Sequence, residues 1–115
     1  EQLKFSITPT KDCWLNAFCI PENQDEAYSV FPNEYEKSFL LKSGKTYELP
    51  QNVDIEFSLD ENKPRQTDRF IFVLTKQQYP FSSKLSYKNV TDWIFKIPPD
   101  QRIVKSFAVD IRKNN

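Results

Sequence analysis

Apolar and polar residues alternate along much of this chain. Leu3, Phe5 and Ile7 are separated by Lys4 and Ser6. That period of two predicts a half-buried strand, and Pro9 stops it. From Trp14 to Ile20 the residues are apolar on both faces, which predicts a central strand closed by Pro21. Glu22 to Glu26 is a polar, hairpin-like loop. Ala27 to Phe31 predicts a third strand, stopped by Pro32 and Asn33. Glu34 to Ser38 reads as an exposed, charged connection. Phe39 to Leu41 forms a short strand before the turn signal Ser43-Gly44. Thr46 to Leu49 is again extended, as far as Pro50.

The most regular alternation is Val53, Ile55, Phe57 and Leu59 against Asp54, Glu56 and Ser58. A one-residue slip there would bury two carboxylates, so the register is firm. Asp60 to Asp68 reads as a charged loop around Pro64. Phe70 to Thr75 is a second strand apolar on both faces. After Tyr79 the period changes. Ser86 can cap a short helix running to about Lys96, with Val90, Trp93 and Ile94 at i, i+3 and i+4. Pro98-Pro99 ends it, and Ile103 to Ile111 returns to strand. About seven short strands and one helix near the C-terminus predict a mainly β, single-domain fold. The architecture expected is a β-sandwich or partial barrel, immunoglobulin-like in outline.

Composition narrows the chemistry. The 115 residues suit one domain and carry 16 basic against 16 acidic side chains, so no electrostatic hold on nucleic acid is expected. The chain has no His, one Gly and two Cys. Imidazole-based catalysis and zinc ligation and glycine-rich phosphate loops are therefore not expected, nor is a metal or cofactor. No apolar run approaches the ~20 residues of a membrane span. The chain begins at Glu1 and lacks Met, so residues 1–115 are expected to be cut from a longer exported precursor or multidomain chain. Cys13 and Cys19 fall on one face of one predicted strand. Their separation of roughly 20 Å at strand spacing exceeds the ~7 Å that a disulfide spans, so both thiols are expected free and buried.

Few side-chain groups suggest chemistry. Asp54 and Glu56 are roughly 7 Å apart on one strand face, within reach of a glycosidase pair, but they read better as a solvated face. Glu22, Asp25 and Glu26 lack the glycine and alternate spacing of a calcium loop. Lys63, Arg65 and Arg69 are interrupted by Asp60, Glu61 and Asp68, which argues against a nucleic-acid track. Asn89-Val90-Thr91 is a formal glycosylation sequon. The positive feature is aromatic: ten Phe, five Tyr and two Trp. Tyr35, Phe39, Tyr79, Phe81 and Tyr87 fall in or beside loops. Tyr35, Tyr79 and Phe81 are the first choices for a binding surface, against the alternative of packing beneath loops.

Three stretches carry a resemblance. One is Phe5 to Pro9 followed by Asp12 to Phe18. The most specific is Val30-Phe31-Pro32-Asn33, then Leu40-Leu41, then Ser43-Gly44-Lys45-Thr46-Tyr47 and Leu49-Pro50. The weakest is Thr91-Asp92-Trp93-Ile94 before Ile97-Pro98-Pro99. Together they resemble a bacterial domain-of-unknown-function family, DUF4384. Val30 stands where Leu is common, and the loop at Asn23-Gln24 lacks an expected glycine. Phe31, Pro32, Asn33, Gly44, Tyr47, Pro50 and Trp93 also have a plain architectural reading. Pro32 ends a strand, Asn33 suits an Asx-turn, Gly44 supplies positive φ, and Tyr47 buries its ring while its hydroxyl finds a partner. The resemblance implies a non-catalytic accessory or interaction module of a cell-envelope or secreted protein, acting outside the cytoplasm. Its partner would be another protein, an attached domain or a surface glycan. The alternative is a carbohydrate-binding module using the loop aromatics. A hydrolase working with carboxylates alone is the remaining reading.

Overall fold

The computed structural model describes residues 2–3, 5–22, 25–31, 40–49, 55–56 and 65–112. Its strands are β1 (Gln2–Leu3), β2 (Phe5–Ile7), β3 (Cys13–Ile20), β4 (Tyr28–Phe31), β5 (Leu40–Leu41), β6 (Tyr47–Leu49), β7 (Ile55–Glu56), β8 (Arg65–Thr75) and β9 (Arg102–Arg112). One helix, α1 (Tyr87–Lys96), and a single 3-10 turn (Pro99–Gln101) stand between β8 and β9. The fold is mainly β, with its helix near the C-terminus as the sequence predicts. Phe57 and the expected strand around it, apart from β7, lie outside the described residues, as do Pro32, Asn33, Tyr35 and Pro50.

The main sheet runs β4-β3-β8-β9, with β5 pairing the start of β3 beside β4. Every pairing is antiparallel. β3 and residues 70–74 of β8 lie inside this sheet and are covered on both faces, which is why those stretches are apolar at nearly every position. On one face Leu15, Ala17, Phe70 and Phe72 meet Phe5, Ile7 and Tyr47 from the β2/β6 ribbon, with Val30, Phe31 and Leu41 filling the remainder. On the other face Phe18, Ile20, Ile71 and Val73 meet Val90, Ile94 and Ile97 from α1 and its C-cap. The five-stranded sheet and the β2/β6 ribbon thus pack as a lopsided sandwich, with the helix closing the outer face of the larger one, and β1 pairs with β7 as a separate two-stranded sheet. Burial of each large core side chain contributes about 1.5–3 kcal/mol.

Local chemistry fixes the connections. Ser86 caps α1 by accepting the Asn89 amide at 3.1 Å, so the first turn has a side-chain acceptor for one of its free donors. Gly44 has φ of 78°, a conformation that favours glycine. Around it, the Gly44 amide donates to the Pro9 carbonyl (2.8 Å) and the Ser43 amide donates to Asp12 (2.8 Å). The Tyr47 ring is buried, and its hydroxyl accepts the Lys42 amide at 2.9 Å. The turn is thereby tied to the segment that joins β2 to β3.

The structure departs from sequence expectation in two places. Residues 65–68, expected in a charged loop, belong to β8 and pair with β9 across Arg65↔Arg112 to Asp68↔Val109. A long antiparallel ribbon supplies backbone partners without apolar side chains on both faces, so polar residues enter it at little cost. Cys13 and Cys19 are free and share the ribbon-side face with Leu15 and Ala17, but both are only half-buried.

Candidate functional site

Four of the large apolar side chains left facing solvent lie on β9 and on the outer side of α1. Ile103 is 58% exposed, Phe107 45%, Val104 41% and Phe95 72%. The β8 register assigns their faces, because directly opposed residues share a face. Ile103, Lys105 and Phe107 oppose Leu74, Phe72 and Phe70, on the ribbon side. Arg102, Val104, Ser106 and Ala108 oppose Thr75, Val73, Ile71 and Arg69, on the helix side. Phe107 is anchored at its inner edge by Phe72 (5.6 Å, edge-to-face) and Phe5 (6.2 Å, stacked). The Arg102 guanidinium lies 5.6 Å from the Phe95 ring centre and donates to the Ile97 carbonyl. It therefore ties the exposed ring of α1 to the start of β9.

A cleft of about 370 Å³ opens on the helix side of the sheet. Its floor is the cross-strand row Ile20, Arg69 and Ala108, and its walls are Pro21, Glu22, Thr67 and Tyr87. The site thus combines an aromatic ring, a guanidinium, a carboxylate and a hydroxyl. Behind it, the Glu22 amide donates to buried Asp68 at 3.2 Å.

The loop aromatics occupy different positions. Phe81 packs edge-to-face on Phe18 (5.3 Å) and on Trp93 (5.7 Å), and Phe18 and Trp93 also meet at 5.7 Å. The Trp93 indole donates to the Pro80 carbonyl at 3.2 Å. Tyr79 packs against the same helix-side core. Phe81 and Tyr79 are both half-buried, so each offers only part of its ring to solvent. Tyr87 is 42% exposed and lines the cleft, whereas Tyr35 and Phe39 lie outside the described residues.

The remaining candidates do not assemble. Among the described residues no group of three or more metal-ligating side chains comes together. Glu26 accepts from the Tyr28 hydroxyl at 3.0 Å, and Asp25 gives its backbone carbonyl to the Tyr87 amide. Asp54, Lys63 and the side chains of Glu56 and Arg65 are outside the described residues. The Asn89 side chain donates to the Lys84 carbonyl at 2.8 Å, which holds the sequon amide against the loop before α1. No described helix is long and apolar enough to cross a membrane.

Sequence reasoning missed Phe95, Ile103, Val104 and Phe107 as surface groups. Phe95 was accessible to it, since it sits off the Val90, Trp93, Ile94 stripe. The exposure of β9 follows from strand order, which no local pattern encodes.

The architecture defines the class: a mainly β domain whose larger sheet is covered by a ribbon on one side and a helix on the other. The family model for the domain of unknown function DUF4384 matches residues 1–78, and the chain belongs to that family. The match takes in the Phe31-to-Pro50 region and ends before α1 and β9. No curated protein and no solved structure matches the chain.

Proposed function

We propose that this domain is a non-catalytic interaction module of a bacterial cell-envelope or secreted protein. The observation that carries the interaction reading is the solvent-facing set Phe95, Ile103, Val104 and Phe107 on neighbouring elements. These groups flank β9 on both faces of the sheet, Ile103 and Phe107 on the ribbon side and Val104 with Phe95 on the helix side. Exposed apolar groups clustered around one element mark a contact surface more often than scattered ones do. The extracytoplasmic setting rests on the resemblance alone. Its partner is another protein or a domain of the same polypeptide.

The reading has a direct test. Phe95→Ser, Ile103→Thr and Phe107→Thr together are expected to abolish association with the protein encoded alongside it, with the circular dichroism spectrum retained. Fractionation of the tagged native gene product should recover it outside the cytoplasm. Association untouched by the triple change, or turnover of a peptide, ester or glycan substrate, would refute the module. A cytoplasmic location would refute the setting.

A second reading, glycan binding, draws on the cleft. Tyr87 offers a ring face beside the Glu22, Thr67 and Arg69 side chains, a mixture suited to stacking and hydrogen bonding with a sugar. Tyr87→Ala should then remove binding to bacterial surface glycans on an array.

A further inference from the structure

We propose that β9 is a docking edge that takes up an extended, acidic peptide segment as an additional antiparallel strand. This deepens the interaction reading above and rests on it. Among the described residues β9 ends the main sheet: it pairs with β8 over all eleven of its residues, and its other edge has no strand beside it. The ladder has no register shift. A regular edge of that length presents a row of backbone donors and acceptors, which is the hydrogen-bonding half of strand addition.

The side chains specify the occupant. On the ribbon side, exposed Ile103 and Phe107 flank exposed Lys105. On the helix side, small Ala108 leaves the cleft open toward the edge, with Arg69 on its floor. Neither Lys105 nor Arg69 forms an ion pair in the described structure. β9 itself holds Arg102, Lys105 and Arg112 against a single acid, Asp110. A second copy of the strand paired about Lys105 would set the two Lys105 ammonium groups against each other, which disfavours that register. A partner strand with acids near Lys105 and Ala108, and apolar residues near Ile103 and Phe107, complements both rows.

The probe is an acetylated, amidated octapeptide, Val-Glu-Ile-Thr-Glu-Thr-Val-Glu, written to run antiparallel from Val109 to Arg102. Its control carries Lys for every Glu. Titration followed by amide chemical shifts should give saturable changes centred on β9, with the Lys peptide at least about tenfold weaker. Lys105→Glu should weaken the acidic peptide about fivefold, the size of one cross-strand charge pair. Two further peptides, N-methylated on the odd or on the even residues, separate strand addition from side-chain docking. One set removes the amides that face β9 and should abolish binding; the other should be tolerated.

No binding at ~1 mM peptide, weak for any strand addition, would overturn the proposal. So would equal binding of the acidic and basic peptides, or equal effects of the two methylated sets. Sedimentation showing a dimer abolished by Lys105→Glu would overturn the choice of occupant. If the peptide fails while the Phe95, Ile103 and Phe107 changes still abolish partner association, the module stands and strand addition falls.

Discussion

At the scale of single residues, three groups give the core a measurable character. Asn16 is 4% exposed, and its side-chain amide makes no hydrogen bond to a described residue. An unpaired buried amide costs about 1–3 kcal/mol, so Asn16→Val should raise stability by roughly 1 kcal/mol or more in urea unfolding. A loss of stability would show that the amide has a partner, such as an internal water. Tyr47 is the opposite case, with its ring buried and its hydroxyl accepting the Lys42 amide. Burial pushes the Cys19 thiol up to about 12 from its ordinary 9.0, with the Asp68 carboxylate adding to the shift. Burial also raises Cys13, with Asp12 contributing. A thiol raised in the folded state favours the folded state fully below the unfolded value and loses that contribution as pH climbs through the folded value. Alkaline destabilisation between about pH 9 and 12 should therefore diminish in Cys19→Ala relative to the parent. Identical pH profiles for the two proteins would refute it. In dithiobis-nitrobenzoate kinetics at pH 8, Cys19 should react more slowly than Cys13.

At the scale of elements, capping and coverage decide what was legible. Ser86 to Lys96 declared itself as a helix because its signals are local: a hydroxyl at the cap, apolar residues at i, i+3 and i+4, then two prolines. Ser86→Ala should lower stability by about 1 kcal/mol, read as a shift in the urea midpoint at unchanged slope. No shift would mean that the Asn89 amide finds water as easily. β3 and the second half of β8 were equally legible, because a strand covered on both faces must be apolar on both. The first half of β8 was not. Arg65 to Asp68 carry loop-like residues and are strand only because β9 runs beside them. The surface groups divide in the same way. Tyr87 was visible beside its turn, and it lines the cleft. For Ile103 and Phe107 the sequence predicts a strand and nothing about exposure, since alternation cannot distinguish a strand inside a sheet from one at its edge. The Phe18, Phe81 and Trp93 cluster was hidden because its rings come from β3, the loop before α1, and α1 itself.

At the scale of the whole molecule, one sheet serves two cores, and that arrangement predicts how the domain unfolds. Leu15, Ala17, Phe70 and Phe72 face the ribbon, while Phe18, Ile20, Ile71 and Val73 face the helix. These residues alternate along the same two strands, so neither core can loosen without disturbing the backbone that carries the other. A domain of this size with its cores joined in this way should unfold in one cooperative step. Trp93 packs with Phe18 and Phe81 and so reports on the helix side. In a Trp14→Phe variant, where it is the remaining indole, its fluorescence transition should coincide with the far-ultraviolet signal of the strands. Two further substitutions extend the test by attacking one core each. Phe18→Ala on the helix side and Phe31→Ala on the ribbon side should each cost about 3–5 kcal/mol, the range for a buried aromatic. Each should move both optical transitions together. If Phe18→Ala lowered the Trp93 midpoint and left the strand signal in place, the helix side would be an independent unit, and joint dependence on the shared sheet would be disproved.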